Sequence, residues 1–367
     1  MYDRAEFVQT RNGSTQVFRN PELDKHENGV ATVFSVKEDM WHREGIVIAE
    51  APSRAKAMEL AGHNFEVETR PLEAVVEVRE GETINLAVPD AFATVRTDRN
   101  KVLGVVGRTY TPLQNADAFA TLDPILEAGI ATLETGGTLR EGKDVWMQVR
   151  LSLDLPGVFN TGEVVPFLLV ANNHSGERKA SVSVTPQRVV CRNTLGIAFN
   201  RGSLGMDRAL RVFHRANVKS RTTEAVAQIV AELTTSFTIV ARQYDALRQR
   251  FLSEEEFSSH VLDVIAPLPE KPEGERASKN RIATAAWEKA AARAQAKRDR
   301  LSTLWVDGDG HTGDHSAWES YNAAVQSIDH DADLWKVEGD SRLASLWQGQ
   351  LARTKQTVLD SLYALTD

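Results

Sequence analysis

Along the first two hundred positions, apolar and polar residues alternate. Phe65-Glu66-Val67-Glu68-Thr69, residues 74–79, 91–96 and 102–107 run at a period of two, with turns at Glu80-Gly81-Glu82 and at 97–100. This pattern predicts half-buried antiparallel strands. Residues 145–151, 167–171 and 180–185 read as further strands, and Asn172-Asn173-His174-Ser175-Gly176 as the turn joining the last two. Shorter strands are expected at 30–34 and 46–48, and a glycine-centred hairpin at 132–139. Two helices interrupt the strands. One covers 53–62, with Ser53 as N-cap and Gly62 at its end. The other covers 115–128, with Phe119, Leu122 and Leu126 on one face, a break at Pro124 and a stop at Gly129.

After residue 200 the period lengthens. Val226, Val230, Leu233, Phe237, Val240, Tyr244, Leu247 and Phe251 are spaced by alternating steps of four and three, a heptad seam. Such a seam packs within its own chain or joins two copies; the second outcome gives a homo-oligomer through helix 226–251. Ser253 and Glu256 form a capping box that opens a helix to Val264. Residues 267–274 are a proline-rich linker, and helices are expected at 276–304, 317–328 and 343–365 around a loop at 305–315. The fold class is therefore α+β, an antiparallel β-rich N-terminal core followed by a mostly α-helical C-terminal half. The expected segments are an N-terminal arm (1–40), an α+β core (41–217), the long helix with the capping-box helix (218–266) and a helical C-terminal region (276–367).

The 367 residues suffice for two or three compact units. A net charge of −8 excludes a general polyanion binder, so any nucleic-acid contact has to be local. A single cysteine excludes an internal disulfide and fits a reducing compartment. The N-terminus lacks a signal-peptide core, and no apolar run approaches the ~20 residues of a spanning helix. A cytoplasmic protein without a membrane partner is expected.

One local basic patch stands out. Arg188, Arg192, Arg201, Arg208, Arg211, Arg215, Lys219 and Arg221 follow one another with only Asp207 opposing them. Guanidinium forks suit phosphate oxygens and unstacked bases, so these eight are the candidate nucleic-acid-binding residues. A second basic run holds Arg276, Lys279, Arg281, Lys289, Arg293, Lys297, Arg298 and Arg300 and reads as a solvated helix face. Cys191 reads as a packed thiol. His174, Asn193 and His214 are too widely spread for a compact metal nuclease site. Residues 307–315, with His311 and His315, match neither a calcium loop nor a zinc helix. No phosphate-binding loop is present, so neither cofactor nor metal is expected, and no catalytic residue.

Several blocks together resemble the phage/plasmid-like protein family, a domain of unknown function found in phages, plasmids and prophages. They are Trp41-His42 with Gly45; Val95-Arg96-Thr97-Asp98 with Leu103-Gly104-Val105-Val106-Gly107 and Tyr110; and Gln114-Asn115 before Phe119. Asn173-His174-Ser175-Gly176, the block from Thr185 to Leu195, and Ala317-Trp318 with Tyr321-Asn322-Ala323-Ala324-Val325 and Asp329-His330 complete the set. The resemblance implies a mobile-element setting in a bacterial host and no established reaction. The order helix, three strands, helix over 53–128 is also similar to the plan of single-strand annealing proteins. The expectation is a non-catalytic DNA-metabolism protein that binds single-stranded DNA and promotes annealing or recombination. The alternatives are a protein-interaction or host-takeover factor acting through the helical half and, more remotely, a metal-dependent nuclease.

Overall fold

The structure, a computed structural model, describes residues 7–9, 15–17, 23–36, 45–184, 186–188, 223–272, 281–309, 311–337, 342, 345, 346 and 349–366. The chain divides into two compact units. The first takes the described residues up to 152 together with 167–184; the second takes 153–166, 186–188 and the helices from 223 onward. Antiparallel sheets dominate the N-terminal half and helices the C-terminal half, so the α+β class holds.

Strands β1 (Phe7–Gln9) and β2 (Thr15–Val17) pair with each other. In the first unit β3 (Val33–Val36), β4 (Ile46–Ile48), β8 (Ala131–Leu139), β9 (Asp144–Leu151), β11 (Phe167–Asn173) and β12 (Ser181–Val184) form one sheet, in the order β12-β11-β9-β8-β3-β4. Every pairing is antiparallel except β3 with β4. Strand β3 is buried along its whole length, so this part of the expected N-terminal arm lies inside the sheet. Helix α1 (Arg54–Leu60) begins where the cap predicts, with the Ser53 hydroxyl accepting from the Lys56 amide. The expected helix over 115–128 is broken into α2 (Asn115–Ala120) and α3 (Asp123–Glu127), with Pro124 in the first turn of α3.

The glycine-centred hairpin at 132–139 is not formed. Those residues run straight as β8, and the chain reverses one step later, at Arg140–Gly142. The glycines serve packing. A Cβ on Gly136 would lie 3.0 Å from the Phe34 ring, and one on Gly137 3.3 Å from the Trp146 indole. Sequence cannot separate a glycine that turns the chain from one that admits a neighbouring ring.

A separate sheet, β5 (Val67–Arg79), β6 (Glu82–Arg96) and β7 (Lys101–Gly107), is ordered β5-β6-β7. Strand β7 pairs only with the far half of β6, from Ala91 to Arg96. Beyond it β5 and β6 continue as a two-stranded ribbon whose side chains are nearly all exposed. At its root Leu72 on β5 opposes four residues of β6 (88–91), with Pro71 beside the bulge and Pro89 inside it, and Asp90 takes φ +54°. A bulge of this size bends a ribbon and ends regular pairing. Ala74 pairs with Leu86 and Val76 with Ile84, so these four share one face. Glu73, Glu77, Thr83 and Asn85 lie on the other.

In the second unit β10 (Val164–Val165) pairs with β13 (Gln187–Arg188). Its helices are α4 (Thr223–Gln249), α5 (254–265, with a π-turn over Ser258–Leu262), α6 (Arg281–Asp307), α7 (Ala317–His330) and α8 (Gln350–Tyr363). The capping box at Ser253 and Glu256 is formed in both directions. Helix α7 is the centre, with every residue from Ala317 to Asp329 buried. The heptad seam of α4 turns inward. Leu233, Phe237, Val240, Tyr244 and Leu247 are buried, Phe237 lies edge-on to Phe159, and Tyr244 lies 4.8 Å from the Trp318 ring. The seam therefore packs within its own chain, and these five side chains are not available to a second copy.

Candidate functional site

Several of the family-like blocks, far apart in sequence, meet at one buried place in the first unit. Strand β11 ends at Asn173 and delivers His174 to the interior. The His174 Nε2 lies 2.8 Å from Asn115 Oδ1, at the first residue of α2. Asn115 Nδ2 donates to the His63 carbonyl at 3.0 Å. That bond fixes the amide, so Nε2 of His174 is the donor to Oδ1. His63, just past α1, directs Nε2 at the Gly137 carbonyl (2.9 Å) and stacks on Phe119. Gly104 on β7 allows the Ser175 backbone to approach, since a Cβ there would lie 2.2 Å from the Ser175 oxygen.

Around this pair the charges are paired. Arg96 is buried, lies 3.9 Å above the Phe65 ring, and bonds Asp24 at 3.2 Å and Asp98 at 2.8 Å. Asp144 holds Arg140 at 2.6 Å and Arg178 at 3.2 Å, and accepts from Asn173 Nδ2 at 2.8 Å. The turn after β11 is thus clamped from three sides.

Burial pushes the His63 imidazole down to about 4, with His174 and Arg96 adding to the effect. Burial, then Arg96, does the same to His174, also to about 4. Both rings are neutral at pH 7, and the Nδ1 of each has no hydrogen-bond partner. Among the described residues no group of three or more His, Cys, Asp or Glu is placed to hold a metal ion. The arrangement ties the end of the six-stranded sheet to α1, α2 and β7; it is built to hold shape.

The eight candidate nucleic-acid residues fall elsewhere. The Arg188 backbone belongs to β13, and its side chain lies outside the described residues. Arg192, Arg201, Arg208, Arg211, Arg215, Lys219 and Arg221 lie outside them too, as do Cys191, Asn193 and His214. In the second basic run, Arg298 bonds Asp263 at 2.7 Å, Arg300 bonds Asp331 at 2.8 Å, and the Lys297 ammonium lies 3.9 Å from the Trp335 ring centre. That helix face is largely engaged inside its own unit. In the 307–315 loop, His311 Nδ1 accepts from the Gly313 amide and Asp314 from the Ser316 amide, both at 2.9 Å. These bonds shape the loop.

Sequence reading passed over His63, Asp24 and Asn115 as a group. Their partners are 52 to 74 positions away, which no local period reveals. It also stopped short of the ribbon, although Ile84, Leu86 and Val88 carry the period-two signal.

The fold and its buried polar centre define an α+β protein with a clamped structural core and a projecting β-ribbon. The chain belongs to the family described as Domain of unknown function (DUF932), whose model matches residues 102–357. No curated protein and no solved structure matches it. The matched span begins at β7, so the ribbon precedes it. Among the described residues, no helix is long and apolar enough to cross a membrane.

Proposed function

We propose that this chain is a non-catalytic, phage- or plasmid-encoded DNA-metabolism protein of the bacterial cytoplasm that binds single-stranded DNA and promotes strand annealing. The observation that carries the reading is the run from Arg188 to Arg221, eight cations against Asp207 alone in a chain of net charge −8. Support comes from the rival basic stretch, whose Arg298 and Arg300 are already held by carboxylates. Annealing needs no nucleotide hydrolysis, which agrees with a sequence that lacks a phosphate-binding loop. A fluorescence-anisotropy titration with single- and double-stranded oligonucleotides tests it. Tighter binding to the single strand is expected, weakened at least tenfold by Arg188→Ala/Arg192→Ala/Arg208→Ala/Arg211→Ala. No shift at low salt sinks the reading.

A second reading, a protein-interaction factor, is favoured by the ribbon. Leu86 is 49% and Ile84 41% exposed on a face that carries no charge from the Ala74–Leu86 pair to the Val76–Ile84 pair. Glu68, Glu73, Glu77, Glu80, Glu82 and Asp90 surround it, against Arg70 and Arg79. An apolar face with an acidic rim suits a basic protein surface and repels DNA. Proximity labelling from the ribbon tip, compared between the native chain and Ile84→Ser/Leu86→Ser, tests this. Basic proteins labelled only by the native chain support it, and identical label patterns contradict it.

A further inference from the structure

A cavity of about 190 Å³ opens in the second unit between α5, α6 and α8. Lys297 from α6, Trp335 and Lys336 from the segment after α7, and Gln350, Thr354 and Thr357 along one face of α8 supply its polar and aromatic lining. Among the described residues the rest of the lining is apolar, and no carboxylate contributes. Three acids of these elements are engaged elsewhere: Asp263 with Arg298 at 2.7 Å, Asp331 with Arg300 at 2.8 Å and Asp329 with Lys355 at 2.9 Å. Among the described residues, Lys297 and Lys336 have no carboxylate within 4.0 Å.

We propose that this cavity binds one phosphate group as a dianion, with Lys297 and Lys336 as its counter-charges. Two compact ammonium charges match a dianion, and lysine binds phosphate as a point charge, without a planar fork. The Trp335 ring, 3.9 Å from the Lys297 ammonium, positions that cation. The Thr354 and Thr357 hydroxyls donate to the carbonyls of Gln350 and Arg353, at 3.0 and 2.9 Å. The donors left for an anion are therefore the two ammonium groups and the Gln350 amide. The volume lies below the ~300 Å³ at which pockets for whole small molecules begin, so it suits the phosphate and little of what bears it. Burial, and then Arg293, lowers the Lys297 pKa, which is the expected state of a cation that lacks its anion. The phosphate comes from a free small phosphomonoester or from the 5′ end of a nucleic-acid strand.

Isothermal titration of the full chain with inorganic phosphate, at ionic strength fixed with chloride, tests the site. One saturable site is expected, weakened at least tenfold in Lys336→Glu, which alters an exposed side chain, and in Lys297→Met, which keeps the stem packed on Trp335. No saturable heat, or equal affinity in native chain and Lys336→Glu, overturns the proposal. Oligonucleotides with a 5′-phosphate or a 5′-hydroxyl separate the sources. A gain of tenfold or more from the phosphate, lost in Lys336→Glu, assigns the site to strand ends. Equal affinities beside a saturable phosphate titration assign it to a free phosphomonoester. The phosphate titration stands or falls without any DNA, so its failure is distinct from failure of the single-strand reading.

Discussion

His63 and His174 sit beside Arg96 with their rings neutral, and this makes the first unit sensitive to acid. Their folded pKa values of about 4 lie below the unfolded value of 6.5, so the unfolded chain binds more protons between those limits. Stability is then full above pH 6.5 and falls as the pH drops towards 4, by up to about 3 kcal/mol for each ring. Urea unfolding at pH 7.5, 5.5 and 4.5 checks this. His174→Gln/His63→Gln should flatten the loss, and an unchanged pH profile in that variant speaks against the assignment. Gly104 gives a second test at the same scale. Its missing Cβ would meet the Ser175 oxygen at 2.2 Å. Gly104→Ala should cost about 1–3 kcal/mol through forced displacement of the turn, readable as a lower urea midpoint beside an unaffected Gly107→Ala control, where nothing lies within 4 Å.

At the scale of elements, helix α4 and the ribbon behave oppositely. Phe237→Ala removes a ring buried against Phe159 and should cost about 3–5 kcal/mol. Because that seam faces its own unit, sedimentation velocity should show the same mass as the native chain, provided the variant is folded. Ile84→Ser and Leu86→Ser change exposed side chains and should move the thermal midpoint by no more than about 0.5 kcal/mol in equivalent stability. What sequence made legible follows the same division. Local chemistry announced itself: the Ser53 cap, the Ser253 and Glu256 box, the break at Pro124, and the meander around β7. Long-range causes did not. Gly136 and Gly137 look like a turn until Phe34 and Trp146 are placed beside them. Pro89 hides the length of β6 because a proline ordinarily ends a strand, whereas here it falls in a bulge. The heptad spacing of α4 identified a buried seam but not what buries it, since an intramolecular core and a dimer contact demand the same spacing.

For the whole molecule, charge is unevenly allotted. Acidic residues ring the ribbon, Arg248, Arg298 and Arg300 of the described helical unit are held by carboxylates, and the run from Arg188 to Arg221 concentrates positive charge with one opposing acid. The candidate site was legible as composition, because a charge run survives any fold. Its geometry was not, because spacing alone does not say which arginines share a face. The single-strand reading makes a quantitative demand here. Each phosphate neutralised on a single strand contributes about −0.7 to the slope of log affinity against log salt. The most direct test is therefore oligonucleotide anisotropy measured from low to physiological salt. The expected slope is roughly −3 to −6 for the native chain, reduced by about 0.7 for each arginine between Arg188 and Arg221 replaced by alanine. A flat salt dependence, or a slope that those substitutions leave unchanged, contradicts it.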